Sequence, residues 1–454
     1  MTEFSALILA AGEGKRMKSE MSKVVHKVCG KEMINHVLDA AIGAGAKRAQ
    51  IVVGHCAQQV QAATEGRAEY AFQKEQKGTG HAVMQARSFL ENSEHVLILT
   101  GDTPLITSKT LSDAMNAHME CANDVTVITA VFEDATGYGR IIRKEDGSVS
   151  KIVEHKDADE KELLVKEINS GMYLFKADAL LNALDNITNS NAQGEYYLTD
   201  TLEIIISKGG KAGAFIAPKS EEIMGVNDRV QLSEAEKKLR RRINEGHMLS
   251  GVTITDPDNT YICSDAKIGM DTVISPGTVI EGNTIIGKNV YIGPNCRLVN
   301  AQIGDGTDVN ISTIIDSSVG SNTHVGPYAY IRPGCTVGND CKVGDFVELK
   351  KAIIGDGTKL SHLTYVGDAE VGSKVNFGCG TVVVNYDGKN KYKTVIKDNA
   401  FIGCNSNLVS PVTVNEGAYI AAGSTITDEV PASSLAIARA RQVIKENWQD
   451  RRKK

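Results

Sequence analysis

Across 454 residues there is no Cys-x-x-Cys spacing, no excess of positive charge, and no apolar run near the roughly 20 residues that cross a bilayer. Each absence excludes a class. Nine cysteines cannot all pair, so neither an oxidised disulfide framework nor a zinc ribbon is indicated, and buried reduced thiols are expected. Fifty Lys plus Arg against 56 Asp plus Glu leave a net charge of −6, which gives no broad phosphate-binding surface and no expectation of a nucleic-acid partner. With 42% hydrophobic and 23% charged residues, wholesale disorder is excluded as well. The N-terminal apolar run Ala6 to Ala11 is too short for a signal-peptide core, so the sequence predicts a soluble, cytoplasmic protein without membrane insertion. The length predicts two or three domains.

Glycine is plentiful but uneven. Of 43 glycines, 23 fall within 251–430, so the second half needs special backbone conformations more often than the first. The first half reads as α/β. Strand patterns Ala6-Leu7-Ile8-Leu9, Gln50-Ile51-Val52-Val53 and Val96-Leu97-Ile98-Leu99 alternate with helical stretches, one of them from about Met33 to Ala44, which implies a parallel sheet with crossover helices. Strand ends in such sheets open on the ligand crevice, which puts the loop after Leu9 and the segment Thr100-Gly101-Asp102 on one rim. Between about Asn227 and Met248 the chain turns charged and helix-forming. Acidic residues interrupt the basic ones there, so a solvated connecting helix is expected rather than a membrane-surface helix.

From Ile262 an aliphatic residue recurs every six positions, through Ile268, Ile274, Ile280, Ile286, Ile292 and Leu298. After a five-residue step to Ile303 the pattern resumes at Val319, Val325, Ile331, Val337, Val343 and Leu349, and later at Ile402, Leu408, Val414, Ile420 and Ile426. Three six-residue sides make one coil of a parallel β-helix, each aliphatic stacking on the one a coil earlier. Small residues such as Thr278, Cys296, Cys335 and Cys341 suit the tight corners, so these cysteines read as buried side chains.

The repeat form resembles the left-handed parallel β-helix of the hexapeptide acyltransferases, which implies a trimer with acyl-donor sites between neighbouring coils. The loop Leu9-Ala10-Ala11-Gly12-Glu13-Gly14-Lys15-Arg16-Met17, followed by Lys23, resembles that of the sugar-nucleotide pyrophosphorylases, with their Rossmann-like nucleotidyltransferase domain. Further segments join these two: Gly137-Tyr138-Gly139-Arg140, Val153-Glu154-His155-Lys156, Asn191-Ala192-Gln193-Gly194-Glu195-Tyr196-Tyr197, His362-Leu363-Thr364-Tyr365 and Asn385-Tyr386-Asp387-Gly388. Together they resemble the bifunctional bacterial family of N-acetylglucosamine-1-phosphate uridylyltransferase and glucosamine-1-phosphate N-acetyltransferase. The resemblance implies a uridylyltransferase domain over 1–227, a helical linker over 228–250 and an acetyltransferase β-helix with C-terminal tail over 251–454. It also implies UDP-N-acetylglucosamine synthesis feeding peptidoglycan and other cell-envelope polysaccharides, with acetyl-CoA and UTP as co-substrates, Mg²⁺ as cofactor and a homotrimeric assembly.

The residues carry their own chemistry beside this resemblance. Gly12 and Gly14 let backbone N–H groups approach triphosphate oxygens, while Arg16 and Lys23 supply positive charge for leaving pyrophosphate. A third glycine and a GKS or GKT ending are both missing, so neither a dinucleotide fingerprint nor a P-loop is present. Asp102, ending an apolar strand, suits a Mg²⁺-binding carboxylate. The resemblance assigns the metal to Asp102 and Asn227, nucleotide contacts to Leu9, Ala10, Ala11, Gly12, Lys23, Gln73, Gly78 and Thr79, and sugar contacts to Gly139, Glu154 and Asn169. Thr100 stands where some relatives carry Tyr.

His362 interrupts a rung where a small residue would suffice, and imidazole can accept the proton that glucosamine's amine must lose as it attacks a thioester. With the flanking motif it becomes the expected general base, with Glu348 in reserve. By resemblance Arg332 and Lys350 hold the sugar phosphate, Tyr365, Asn376 and Lys391 orient the sugar, and acetyl-CoA meets Cys379, Asn385, Tyr386, Cys404, Ala422 and Arg439. Relatives carry Ala at the place of Cys379 and Ser at that of Cys404. A regulatory scaffold would need neither His362 nor the Asn385 to Lys391 excursion. A zinc hydratase would need three histidines where 251–430 holds only His324 and His362.

Overall fold

The computed structural model describes residues 3–191 and 193–452, so Ala192 of the 191–197 motif and the last two lysines of the basic tail lie outside the described residues. Two compact units divide the chain at Met1–Leu239 and Arg240–Lys454.

Among the described residues the first unit is built on a nine-stranded sheet whose main path is seven strands: β1 Phe4–Ala10, β2 Arg48–Val53, β3 Glu69–Phe72, β4 His95–Thr100, β5 Val125–Val131, β6 Glu167–Lys176 and β7 Ala212–Ile216. Their order is β7-β5-β6-β4-β1-β2-β3, and β1 runs parallel to β2 and β4. Successive side chains of β1 enter opposite layers. Ala6 and Ile8 pack with Ile51, Leu97 and Leu99, while Leu7 packs with Val52 and Ile98. Burial on both faces is why these strands read as continuous apolar runs. The sheet is not wholly parallel as the strand–helix–strand pattern suggested, because β6 lies antiparallel to both β4 and β5. A register shift between Asn169 and Met172 breaks the β6–β5 ladder, and such bulges re-aim side chains near binding sites.

The helix Arg229–Leu249 differs from the solvated arm expected. Ala235 and Leu239 are buried, and Glu236 accepts the Cys29 backbone N–H at 2.6 Å. In the second unit Asn244, fully buried, donates to the carbonyls of Pro257 and Thr260.

The second unit is a parallel β-helix whose strands stack coil on coil. Ile274 pairs with Ile292, Ile280 with Leu298 and Ile402 with Ile420. Nearly every aliphatic of the repeat is buried in one core running from Val252 to Val430, and Ile268 packs against it half-buried. Thr278, Cys296, Cys335 and Cys341 are buried as their places in the repeat predicted. Among the described residues no helix is long and apolar enough to cross a membrane.

Candidate functional site

In the first unit β1 ends against the glycine loop. Gly14 holds a left-handed φ of 63°, and a Cβ there would lie 2.7 Å from the Cβ of Lys23. Glycine therefore lets the loop close onto Lys23. A Cβ on Gly12 would meet nothing within 4 Å, so that residue faces open space. Only single 3₁₀ turns follow, Lys15–Met17 and Lys23–Val25, so the loop presents backbone amides and cations but no α-helix dipole.

A cleft of about 280 Å³ is lined by Leu9, Ala10, Ala11, Gly12, Lys23, Gln73, Gly78, Thr79 and Asp102, by Thr100 of the strand end and Glu195 of the 191–197 motif, and by three residues the sequence did not single out: Val24, Gln76 and Ala82. A second cleft, lined by Gly12 to Arg16 with Lys23, Gln76, Glu195 and Asn227, adjoins it. The 191–197 motif explains the turn at Gly78. Tyr196 accepts the Gly80 N–H, donates its own N–H to Lys77, and lies so close to Gly78 that a Cβ there would sit 2.5 Å from the Tyr196 carbonyl. Gln73, buried, donates to the Gly78 carbonyl at 3.1 Å, and Thr79 Oγ1 accepts the Leu198 N–H.

Between the clefts Lys23 Nζ contacts Asp102 Oδ2 and donates to Asn227 Oδ1 at 3.1 Å. The Val226 N–H donates to the Asp102 carbonyl and Asn227 N–H to Gln231 Oε1, so residues distant in sequence are held at one point. Two hard oxygens thus converge on one cation.

Gly139, Glu154 and Asn169 lie beside this cleft. Asn169 N–H donates to the Gly139 carbonyl, and Glu154 Oε1 lies 3.5 Å from where a Gly139 Cβ would stand. Tyr173 and the Gly171 N–H both donate to Asn169 Oδ1, and Gly171 approaches Thr100 on the cleft wall. Burial, aided by the charges of Asp157 and Asp200, pushes the Glu154 carboxyl above its usual range.

On the β-helix one line of residues crosses neighbouring coils. Asp345 pairs with His362, and Nδ1 of His362 lies 2.5 Å from Asp345 Oδ1. The pairs Lys359–Asn376 and Asn376–Phe401, each followed three places on, bring Cys379 and then Cys404 into line. Phe401–Tyr419 extends it to Ala422, and Arg439 Nη1 donates to the Ala422 carbonyl at 2.7 Å. The His362 hydrogen bond holds the Asp345 carboxyl below the usual range.

A second group gathers around Asp368. Lys350 Nζ lies 3.8 Å from Asp368 Oδ2, which also accepts from Asn385 Nδ2 at 2.5 Å. A Cβ on Gly367 would collide with the Tyr365 hydroxyl and Asn385. The neighbouring Lys391, with burial and Arg332 adding, pushes the Lys350 ammonium below its usual range. Arg332, Lys350 and Lys391 thus gather three positive charges in one place, facing the carboxylates of Glu348 and Asp368. Glu348 is paired with Arg332 at 2.8 Å, which leaves His362 as the group with a free ring nitrogen. Asn385 therefore sits with the cation group, while Asn376, between Lys359 and Phe401, lies outside it. Tyr386 is exposed and closes its loop by donating to the Gly388 carbonyl. Sequence reasoning missed Asp345, although stepping back one coil from His362 leads to it.

Comparison with known proteins bears on both units. Residues 5–225 match the nucleotidyl transferase family, and 265–300, 316–351 and 393–428 match the bacterial transferase hexapeptide repeats. The chain is 58% identical to the bifunctional protein GlmU of Acetivibrio thermocellus over 98% of its own length and 96% of the relative's. It is 58% identical to that of Caldanaerobacter subterraneus subsp. tengcongensis, covering 100% and 99%. Against that of Clostridioides difficile it is 54% identical, covering 99% and 98%. With both domains and nearly the whole length matched, the chain belongs to the family of the bifunctional protein GlmU.

Proposed function

We propose that this bifunctional enzyme of UDP-N-acetylglucosamine synthesis acetylates glucosamine-1-phosphate on its β-helix and then uridylylates the product in the cleft beside the glycine loop. The observation that carries the division of labour is the line Asp345–His362–Cys379–Cys404–Ala422, in which a carboxylate-oriented imidazole stands in register with the residues that this reading gives to the coenzyme.

On the β-helix Arg332, Lys350 and Lys391 hold the sugar phosphate, and Tyr365 and Asn376 orient the sugar. Asp345, ionised, accepts the Nδ1–H of His362, which fixes the tautomer with Nε2 free. Nε2 takes a proton from the amine as nitrogen attacks the thioester carbonyl, and the coenzyme leaves as a thiolate that is then protonated. Cys379, Asn385, Tyr386, Cys404, Ala422 and Arg439 contact acetyl-CoA. Asn376 stands apart from the cation group within one chain, which supports a homotrimer in which a neighbouring copy completes the site.

In the first unit Leu9 to Gly12, Gln73, Gly78 and Thr79 hold the nucleotide of UTP, and Gly139, Glu154 and Asn169 hold the sugar. The oxygen pair of Asp102 and Asn227, already satisfied by a cation, fits Mg²⁺, which favours few protein oxygens plus substrate phosphates. When bound there it neutralises and aligns the phosphates. A sugar phosphate oxygen attacks the α-phosphorus in line, the bond to the bridging oxygen breaks, and pyrophosphate leaves against Arg16 and Lys23. We place the enzyme in the cytoplasm, with small molecules as its other partners, no nucleic acid and no membrane insertion.

The test supplies glucosamine-1-phosphate, acetyl-CoA, UTP and Mg²⁺ and identifies every product by mass. UDP-N-acetylglucosamine, pyrophosphate and free coenzyme are expected, and omission of acetyl-CoA should abolish the sugar nucleotide. Retention of acetyl transfer in His362→Ala would sink the β-helix assignment.

A further inference from the structure

Four of the nine cysteines, Cys263, Cys296, Cys335 and Cys341, are buried inside the β-helix, and burial pushes their thiols up, that of Cys296 to about 11. Cys404 is exposed and Cys379 half-buried, and both lie on the line that begins at His362. The Asn405 N–H donates to the Cys379 carbonyl at 2.7 Å and Gly378 N–H to the Ile402 carbonyl at 2.7 Å, so the two thiols occupy the same place on adjacent coils. Adjacent strands lie about 4.7–4.9 Å apart, within the Cα separation of about 4.4–6.8 Å that a disulfide spans. Side chains on this face do stack in register, as Phe401 and Tyr419 show with ring centroids 4.4 Å apart.

We propose that Cys379 and Cys404 form a reactive thiol pair that takes up a low-molecular-weight disulfide, foremost the disulfide of the coenzyme thiol, and so closes the acetyl-transfer site reversibly. The inference rests on the reading of this line as the coenzyme's place. The thiolate of Cys404 attacks one sulfur of the incoming disulfide, whose S–S bond breaks and releases one thiolate to be protonated. Cys379 then attacks the mixed disulfide, a Cys379–Cys404 bond forms, and the second small thiol leaves. Two protein thiols are oxidised and one small disulfide is reduced to two thiols. A coenzyme thiol held here for acetyl transfer leaves its oxidised dimer well suited to the same line.

The full chain, reduced and then freed of reductant, is treated with coenzyme A disulfide and digested without reduction. Expected is a cross-linked peptide joining Cys379 and Cys404, or either thiol carrying the coenzyme. Acetyl transfer should fall at least about tenfold and return with dithiothreitol, while uridylylation stays within about twofold. Cys379→Ala and Cys404→Ser, each measured against its own untreated rate, should form no cross-link. Modification confined to Cys56 or Cys121, or a modified pair with undiminished acetyl transfer, would overturn the proposal. Untreated His362→Ala run in parallel separates the two ideas, since full acetyl transfer there condemns the reading of the line itself.

Discussion

At the scale of the residue, the His362–Asp345 hydrogen bond and the Lys23 contact with Asp102 and Asn227 make the sharpest expectations. Replacing His362 by Ala should lower acetyl transfer by about 10²–10⁴, the usual range for losing a positioned acid–base group, with uridylylation little changed. Asp345→Asn should be about as severe, roughly 10³–10⁴-fold, because an amide N–H can donate to Nδ1, which favours the tautomer with its proton on Nε2, and no longer steadies the imidazolium formed during attack. The Asp345 carboxyl is held below its usual range, so it stays ionised through the neutral region, and the acid limb of the rate should not arise from its protonation. A wild-type rate in Asp345→Asn, measured from acid to alkaline pH, would remove the carboxylate from the mechanism. In the other unit, Asp102→Ala should abolish Mg²⁺-dependent pyrophosphate release and leave acetyl transfer intact. Parallel loss of both activities would mean that the substitution had damaged folding.

At the scale of the element, the helix Asp200–Ser207 carries an electrostatic conflict. Asp200 stands in its first turn, where the helix dipole favours a carboxylate. Burial and the charges of Glu203 and Asp157 outweigh that and push its carboxyl up to about 6. A raised carboxyl contributes stability that is whole below the unfolded value near 4 and is lost as pH rises through about 6. Asp200→Asn should therefore stabilise the first unit at pH 7.5, by roughly 1 kcal/mol once solvent screening of this half-exposed group is allowed for, and by little at pH 4. Thermal melting of both proteins at the two pH values checks the sign.

The same scale shows how far the sequence could be read. Strands such as β1, β2 and β4 were legible because burial on both faces leaves an unbroken apolar run, and the β-helix was legible because each coil repeats one inward position. The antiparallel β6 was not, since strand direction depends on connections that periodicity does not record. The Asp345 partner of His362 escaped notice for a similar reason. Coil length varies: His362 pairs 17 residues back with Asp345, whereas Ile292 pairs 18 back with Ile274. The excursion at Asn385 lengthens the step from Asn376 to Phe401 to 25. Contacts between coils follow from those lengths and not from local spacing. Strand ends alone put the glycine loop and Asp102 on one rim, whereas Asn227 joined them only through resemblance, because the Val226–Asp102 hydrogen bond that brings it there spans more than a hundred residues.

At the scale of the whole molecule, the two activities should separate, and the place of the cut decides how well. The division at Leu239 falls within the helix Arg229–Leu249, not at either end of it. Its first three turns belong to the first unit: Ala235 is fully buried, Glu236 satisfies the Cys29 N–H, and Arg229 donates to the Met17 carbonyl. A fragment ending at Arg229 keeps the nucleotide cleft but loses the Glu236 contact to the Cys29 N–H and the burial of Ala235 and Leu239. A fragment ending at Leu239 retains that contact. Both should uridylylate N-acetylglucosamine-1-phosphate and neither should transfer acetyl groups, with the longer one melting several degrees higher. The repeats that imply a trimer lie in the second unit, so sedimentation equilibrium should find the full chain at three times its own mass and the fragment ending at Leu239 as a monomer. A trimeric fragment would place assembly on the nucleotidyltransferase domain, and a monomeric full chain would leave Asn376 with no neighbouring copy to serve.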